Sequence, residues 1–178
     1  MSIPEEVQDI RCARVALKIW VLRLKAMVEG LPVEKHLIPI QFKKCLFGQW
    51  LYGSGAMLAG FSVFDEIKPV HRAMHETGEE IISLMTAEPK GLASMLHHKD
   101  FVKNNQLKAQ KMLPKLLLAY EQTLHLLAIL EQDCLNRALK EQEGSTHNNL
   151  LLGQTFGDVM QMLDALDQDV DSWLKKGS

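Results

Sequence analysis

PEEVQDIRCARVALKIWVLRLKAMVEG, residues 4–30, decides the fold class. Within it Ile10, Ala13, Leu17, Trp20, Leu24 and Met27 recur three or four residues apart. On a helix that spacing lays them along one apolar stripe. Pro4 suits a first helical turn, Glu5 and Glu6 complement the positive end of the helix dipole, and Gly30 suits a stop. The reading predicts one amphipathic helix over Pro4–Glu29, with Lys18, Arg23 and Lys25 off the stripe and in water.

The rest of the chain extends the helical pattern. Leu31 to Pro39 holds two prolines and reads as a connector. A short apolar segment, Gln41–Tyr52, ends at Gly53-Ser54-Gly55. A longer helix fits Ser62–Ala87, where Ser62 and Asp65 have capping-box spacing and Pro69 marks a kink or the true first turn. Glu88-Pro89-Lys90-Gly91 stops it, and residues 92–104 form a weakly patterned, partly helical link that contains His97 and His98. Asn105–Glu143 reads as a long helix with Leu113, Leu117, Tyr120, Leu124 and Leu127 on one side and a kink at Pro114. After a loop at Gly144–Asn149, residues 150–175 carry Leu152, Phe156, Val159, Leu163, Leu166, Val170 and Trp173, alternately four and three apart. That heptad seam suits a helix packed on its neighbours or one that forms a dimer. The expected architecture is all-α: a four-helix-bundle-like domain over residues 1–143, then an amphipathic heptad helix over residues 148–176 that packs on the bundle or dimerises.

Composition narrows the function. The 178 residues are 47% hydrophobic and 24% charged, which suits a folded domain and not a disordered chain. Aromatic residues make up only 6%, too few to fill an all-β core easily. The 20 basic and 22 acidic side chains leave a formal charge of −2, without the basic excess of a nucleic-acid surface. No apolar run reaches the roughly 18 residues of a membrane span. The start has no signal-peptide pattern, and three cysteines, Cys12, Cys45 and Cys134, do not make a disulfide framework. A cytoplasmic protein with reduced thiols is expected.

Chemistry concentrates in two places. In Pro69-Val-His71-Arg-Ala-Met-His75 the two histidines stand at i and i+4, so both rings leave one face of a helix and can share a metal ion. Arg72 stands where a metalloprotease motif needs glutamate. In Lys43-Lys-Cys45-Leu-Phe-Gly48-Gln-Trp50-Leu-Tyr-Gly53, one thiol sits among large apolar residues, and Gly48 signals a close backbone approach or a special turn. Two lysines beside a thiol at a helix start lower its pKa, which favours ligation and reactivity. Taken alone, Cys45 also reads as a buried structural cysteine. His97 and His98 point apart and suit a surface, His125 suits a hydrogen-bonded core edge, and His147 falls in a loop. No phosphate loop, nucleophile elbow or Cys-x-x-Cys pair is present, and no catalytic constellation is expected.

The run Cys45-Leu-Phe-Gly-Gln-Trp-Leu-Tyr-Gly53, followed by His71-x-x-x-His75, resembles the chemoreceptor zinc-binding domain family, CZB, over roughly residues 5–135. The resemblance implies a helical bundle that holds zinc with one cysteine and three histidines. Cys45, His71 and His75 fall on three of those ligand positions. Trp20 corresponds to the tryptophan of the opening helix, so the family's first histidine ligand is replaced by Leu17. Three arrangements then stay open. Zinc is held by Cys45, His71 and His75 with a water or other exogenous group. Or Cys12, His36 or His125 substitutes for the missing ligand. Or the three side chains are packing only.

The resemblance also implies a sensory or regulatory role. A zinc- or oxidant-responsive Cys/His site would signal through helix movement to another protein, or by self-association through the C-terminal helix, including as a homodimer. The alternatives are a metal-free adaptor or structural bundle and, further off, a small zinc enzyme.

Overall fold

The computed structural model describes residues 4–89 and 97–143. The predicted loop at 144–149 with His147, the heptad helix at 150–175 with its seam, and residues 90–96 of the predicted stop and link lie outside these residues. Pro4–Leu135 forms one compact unit of the chain.

The described residues are all-α, with no strand among them. Four α-helices follow one another: α1, Glu5–Val28; α2, Leu46–Tyr52; α3, Ser62–Thr86; and α4, His98–Glu143. Single 3-10 turns at Lys35–Leu37 and Ser54–Leu58 flank α2. An all-α bundle is what the sequence patterning predicts.

α1 has the expected ends. The Pro4 carbonyl accepts from the amides of Val7 and Gln8. At the other end Gly30 takes φ +80°, and the amides of Gly30 and Leu31 donate to the carbonyls of Met27 and Ala26. That bond pair is the Schellman motif, which needs a left-handed residue at Gly30. All six stripe residues, Ile10 to Met27, are buried. The buried face is wider than the stripe, however, because Arg14, Lys18 and Val21 are buried too. Lys18, expected in water, is only 7% exposed. Elements pack on α1 from more than one side: α2 and α3 lie against it, and Glu131 of α4 reaches its Arg11 and Arg14. A lysine at the border of such a face lays its aliphatic stem on the core.

The connector after α1 is held by its backbone. Trp20 Nε1 donates to the Pro39 carbonyl at 3.0 Å, and Arg23 Nη1 to the Leu37 carbonyl at 3.0 Å. Ile38 is buried beneath this strap. The strap brings the carbonyls of Ile40 and Phe42 to the side chains described below.

α3 starts at Ser62 but not through the expected capping box. Phe61 is the cap residue and makes no side-chain cap bond, while Asp65 pairs instead with Lys68 at 2.7 Å. Both groups are exposed, so the i,i+3 ion pair competes successfully with the cap. The helix runs on through Pro69, which lies inside it. Its buried face comprises Phe64, Ile67, His71, Met74, His75, Gly78, Ile81 and their neighbours.

α4 begins at His98 rather than Asn105 and continues through Pro114. Its buried line runs through Ala109, Leu116, Thr123, Leu127, Leu130 and Cys134. The predicted Leu113, Leu117, Tyr120 and Leu124 are only half-buried and flank that line. Thr123 is tolerated in the core because its hydroxyl donates to the Ala119 carbonyl at 2.9 Å.

Candidate metal centre

Three buried side chains converge where the α2 N-terminus meets the middle of α3. One ligand atom each from Cys45, His71 and His75 lies within 4.8 Å of the other two. The helical register brings the histidines together: one turn apart on the buried face of α3, their ring centroids are 4.7 Å apart and their planes nearly perpendicular.

Cys45 is fixed by its role in starting α2. It is the N-cap, and its Sγ accepts from the Gly48 amide at 3.1 Å, as a serine hydroxyl does in an ordinary cap. The thiol donates to the Phe42 carbonyl at 3.3 Å and lies 3.4 Å from His71 Nε2. Gly48 is required by space: a Cβ there would stand 1.8 Å from the Phe42 carbonyl oxygen and 3.2 Å from Sγ. The close approach expected from Gly48 is therefore the approach of Phe42.

His75 is oriented by the backbone. Its Nδ1–H donates to the Ile40 carbonyl at 2.9 Å, which leaves the lone pair on Nε2. That nitrogen is buried and has no hydrogen-bond partner among the described residues, and the same holds for His71 Nδ1. A backbone carbonyl on the far ring nitrogen is the usual support of a metal-ligating histidine. Trp20 stacks on His75 with centroids 4.3 Å apart, and Phe47 meets His71 edge-on at 4.8 Å.

Burial governs the protonation states. It pushes the Cys45 thiol up to about 11, although the amides around it, Gly48 foremost, oppose the shift. The expected lowering by Lys43 and Lys44 does not occur, since Lys43 lies over the Tyr52 ring and Lys44 is exposed, while the sulfur is buried. Burial lowers His71 to about 3, with a smaller push from His75, and lowers His75 to about 4. Both imidazoles are neutral at neutral pH and present lone pairs.

The donor types suit zinc, and the Cys45–His71 pair suits it in distance as well. With Zn–S about 2.3 Å and Zn–N about 2.0–2.1 Å, a tetrahedron has an S···N edge of about 3.5 Å. The Sγ to His71 Nε2 separation of 3.4 Å meets that value. Leu17 is fully buried on α1, one turn before Trp20. The suggested substitutes do not join the cluster. Cys12 is exposed, His36 is exposed beside Glu34, and His125 is exposed in a groove with Glu66, Pro69 and Val70. His125 is thus not at the predicted core edge, because α4 turns that position outward. His97 and His98 are on the surface, as expected.

The residues missed from sequence are Ile40 and Phe42, which act through main-chain carbonyls and carry no side-chain signal. No helix among the described residues is long and apolar enough to cross a membrane.

No curated protein and no solved structure matches the chain. The family match is narrower than residues 5–135 and begins one residue after Leu17: residues 18–82, which include Cys45, His71 and His75, match the model of CZB, the chemoreceptor zinc-binding domain, a family of sensory and regulatory domains.

Proposed function

We propose that the chain is a cytoplasmic sensory or regulatory bundle in which Cys45, His71 and His75 hold one zinc ion, and that it acts by protein–protein interaction. The observation that carries this reading is the convergence of a buried thiol and two buried neutral imidazoles, one with its lone pair unpartnered. A bound zinc supplies a stabilised thiolate that joins the start of α2 to α3.

The chain's own residues then make the site responsive. Cys45 sulfur is both a donor to the cluster and the cap of α2, so losing the metal or oxidising the thiol acts directly on the first turn of that helix. α2 packs on α1, and that contact carries the change into the bundle. On sequence pattern alone, the reading assigns the partner surface to the heptad seam at residues 152–173, in the amphipathic helix expected over 148–176 that packs on the bundle or dimerises. It takes a signalling protein or a second copy of the chain.

Elemental mass spectrometry on protein purified without a metal-affinity step tests the site. The expected result is about one zinc per chain, with much less in Cys45→Ala. A metal-free parent with an unchanged fold in the variant overturns it.

A further inference from the structure

We propose that the outward face of α4 receives a second copy of the chain, with the two α4 helices antiparallel and Leu118 of each beside the two-fold axis. The inference involves no metal and stands apart from the Cys45 site.

Leu107, Leu118 and Ile129 on α4 are 45%, 57% and 38% exposed. They stand eleven residues apart, close to three full turns, so one line along the helix carries all three over about 33 Å. Lys111, Gln122 and His125 are exposed along the same line. At its middle the line borders an open groove of about 620 Å³, in which Leu118 and Leu126 of α4 share a lining with Pro69 and Val70 of α3. A single exposed leucine needs no explanation, but an apolar line bordering an apolar groove marks a contact surface.

The order of residues selects the occupant and its direction. A two-fold contact is isologous: where position i meets j, position j meets i. Turned end for end about residue 118, this face is its own complement. Leu107 comes level with the second copy's Ile129, Lys115 with its Glu121, and Lys103 with its half-buried Asp133. Lys111 comes level with His125, which adds no attraction. Parallel helices would instead set Lys103, Lys111 and Lys115 each against itself, a like-charge contact at three levels. A footprint of about 33 Å by 10 Å falls short of the roughly 800 Å² per partner of a standard interface, so the association is reversible.

Sedimentation velocity of the full chain over a concentration series tests the contact. The parent is expected to pass reversibly from monomer to dimer. Leu118→Glu, which sets two carboxylates beside the axis, should keep its helix content and stay monomeric. Lys115→Glu should weaken the dimer about tenfold, because the symmetry changes the pair twice, and adding Glu121→Lys should restore it. In a Cys12→Ser background, Leu118→Cys should join two copies by a disulfide under mild oxidation. Leu107→Cys should not, since its two copies lie about 33 Å apart. A parent that stays monomeric overturns the proposal. So does a link through Leu107→Cys, which means parallel helices, or a double charge variant no tighter than Lys115→Glu alone. A dimer that survives Leu118→Glu also overturns it, and loss of that dimer in Leu163→Glu would assign the contact to the seam at 152–173.

Discussion

Gly78 on α3 faces the edge of the Trp20 indole so closely that a Cβ there would stand 2.4 Å from Cη2. The missing side chain lets α1 and α3 approach, and the same indole covers His75. Gly78→Ala therefore gains helix propensity, worth up to about 1 kcal/mol, and loses about 1–3 kcal/mol to overpacking. We expect a net loss of stability in urea denaturation. Zinc affinity, read by competition with a chromogenic chelator, should fall as well, because Trp20 cannot move without moving against His75.

Gly48 makes a harsher demand. The atom in the way of a Cβ is a main-chain carbonyl oxygen, that of Phe42, which cannot rotate aside as a side chain can. The same oxygen accepts from the Cys45 thiol. Gly48→Ala should cost about 3 kcal/mol or more, at the upper end of overpacking effects. Leu46→Ala, two residues away and 65% exposed, should change stability by no more than about 0.5 kcal/mol. Equal losses in the two variants would refute this account of the motif.

Much of this was legible in the sequence, and what was not has a common cause. The α1 stripe, the stop at Gly30 and the shared face of His71 and His75 follow from local periodicity, which a helix enforces wherever it sits. Cys45 and Gly48 stand out as a thiol and a glycine in an apolar run. Tertiary context decided the rest. Ala109 and Thr123 are fully buried on α4, while larger leucines flank them half-buried. Lys18 lies inside because α1 is covered on more than one side. The thiol is raised instead of lowered because Lys43 and Lys44 are near it in sequence and not aimed at it. The carbonyls of Ile40 and Phe42 position the site with groups that every residue possesses.

The metal-free fold should be most stable on a plateau between about pH 6.5 and 9. His71 and His75 are depressed to about 3 and 4 from an ordinary 6.5, so the unfolded chain binds more protons below pH 6.5. Stability is then present above that value and is lost as pH falls, at close to two protons or about 3 kcal/mol per pH unit where both contribute. Cys45 is raised to about 11 from 9.0, so the unfolded chain gives up its proton first and stability falls again above pH 9. Urea midpoints of apo protein across this range check both limbs. Zinc uptake at pH 7 should release about one proton, from Cys45 and not from the neutral imidazoles. Calorimetry in buffers of different ionisation enthalpy would refute the assignment by returning two or three.

Glu131, only 1% exposed on α4, accepts from Arg11 at 2.7 Å and from Arg14 at 3.0 Å on α1. Burial lowers the pKa of the Arg14 guanidinium, and the charge of Glu131 opposes that shift. Such a cluster adds little net stability over an apolar contact, since desolvation offsets most of the attraction. Losing Glu131 is different, because the Arg14 cation stays buried while the carboxylate that offsets its desolvation is gone. Glu131→Leu should therefore cost about 3–5 kcal/mol. Arg14→Met combined with Glu131→Leu should recover most of that loss, with Arg11, 15% exposed, turning to solvent. A double-mutant cycle in urea gives the coupling directly. Additive effects of the two substitutions would mean that the carboxylate and Arg14 are not paired across α1 and α4.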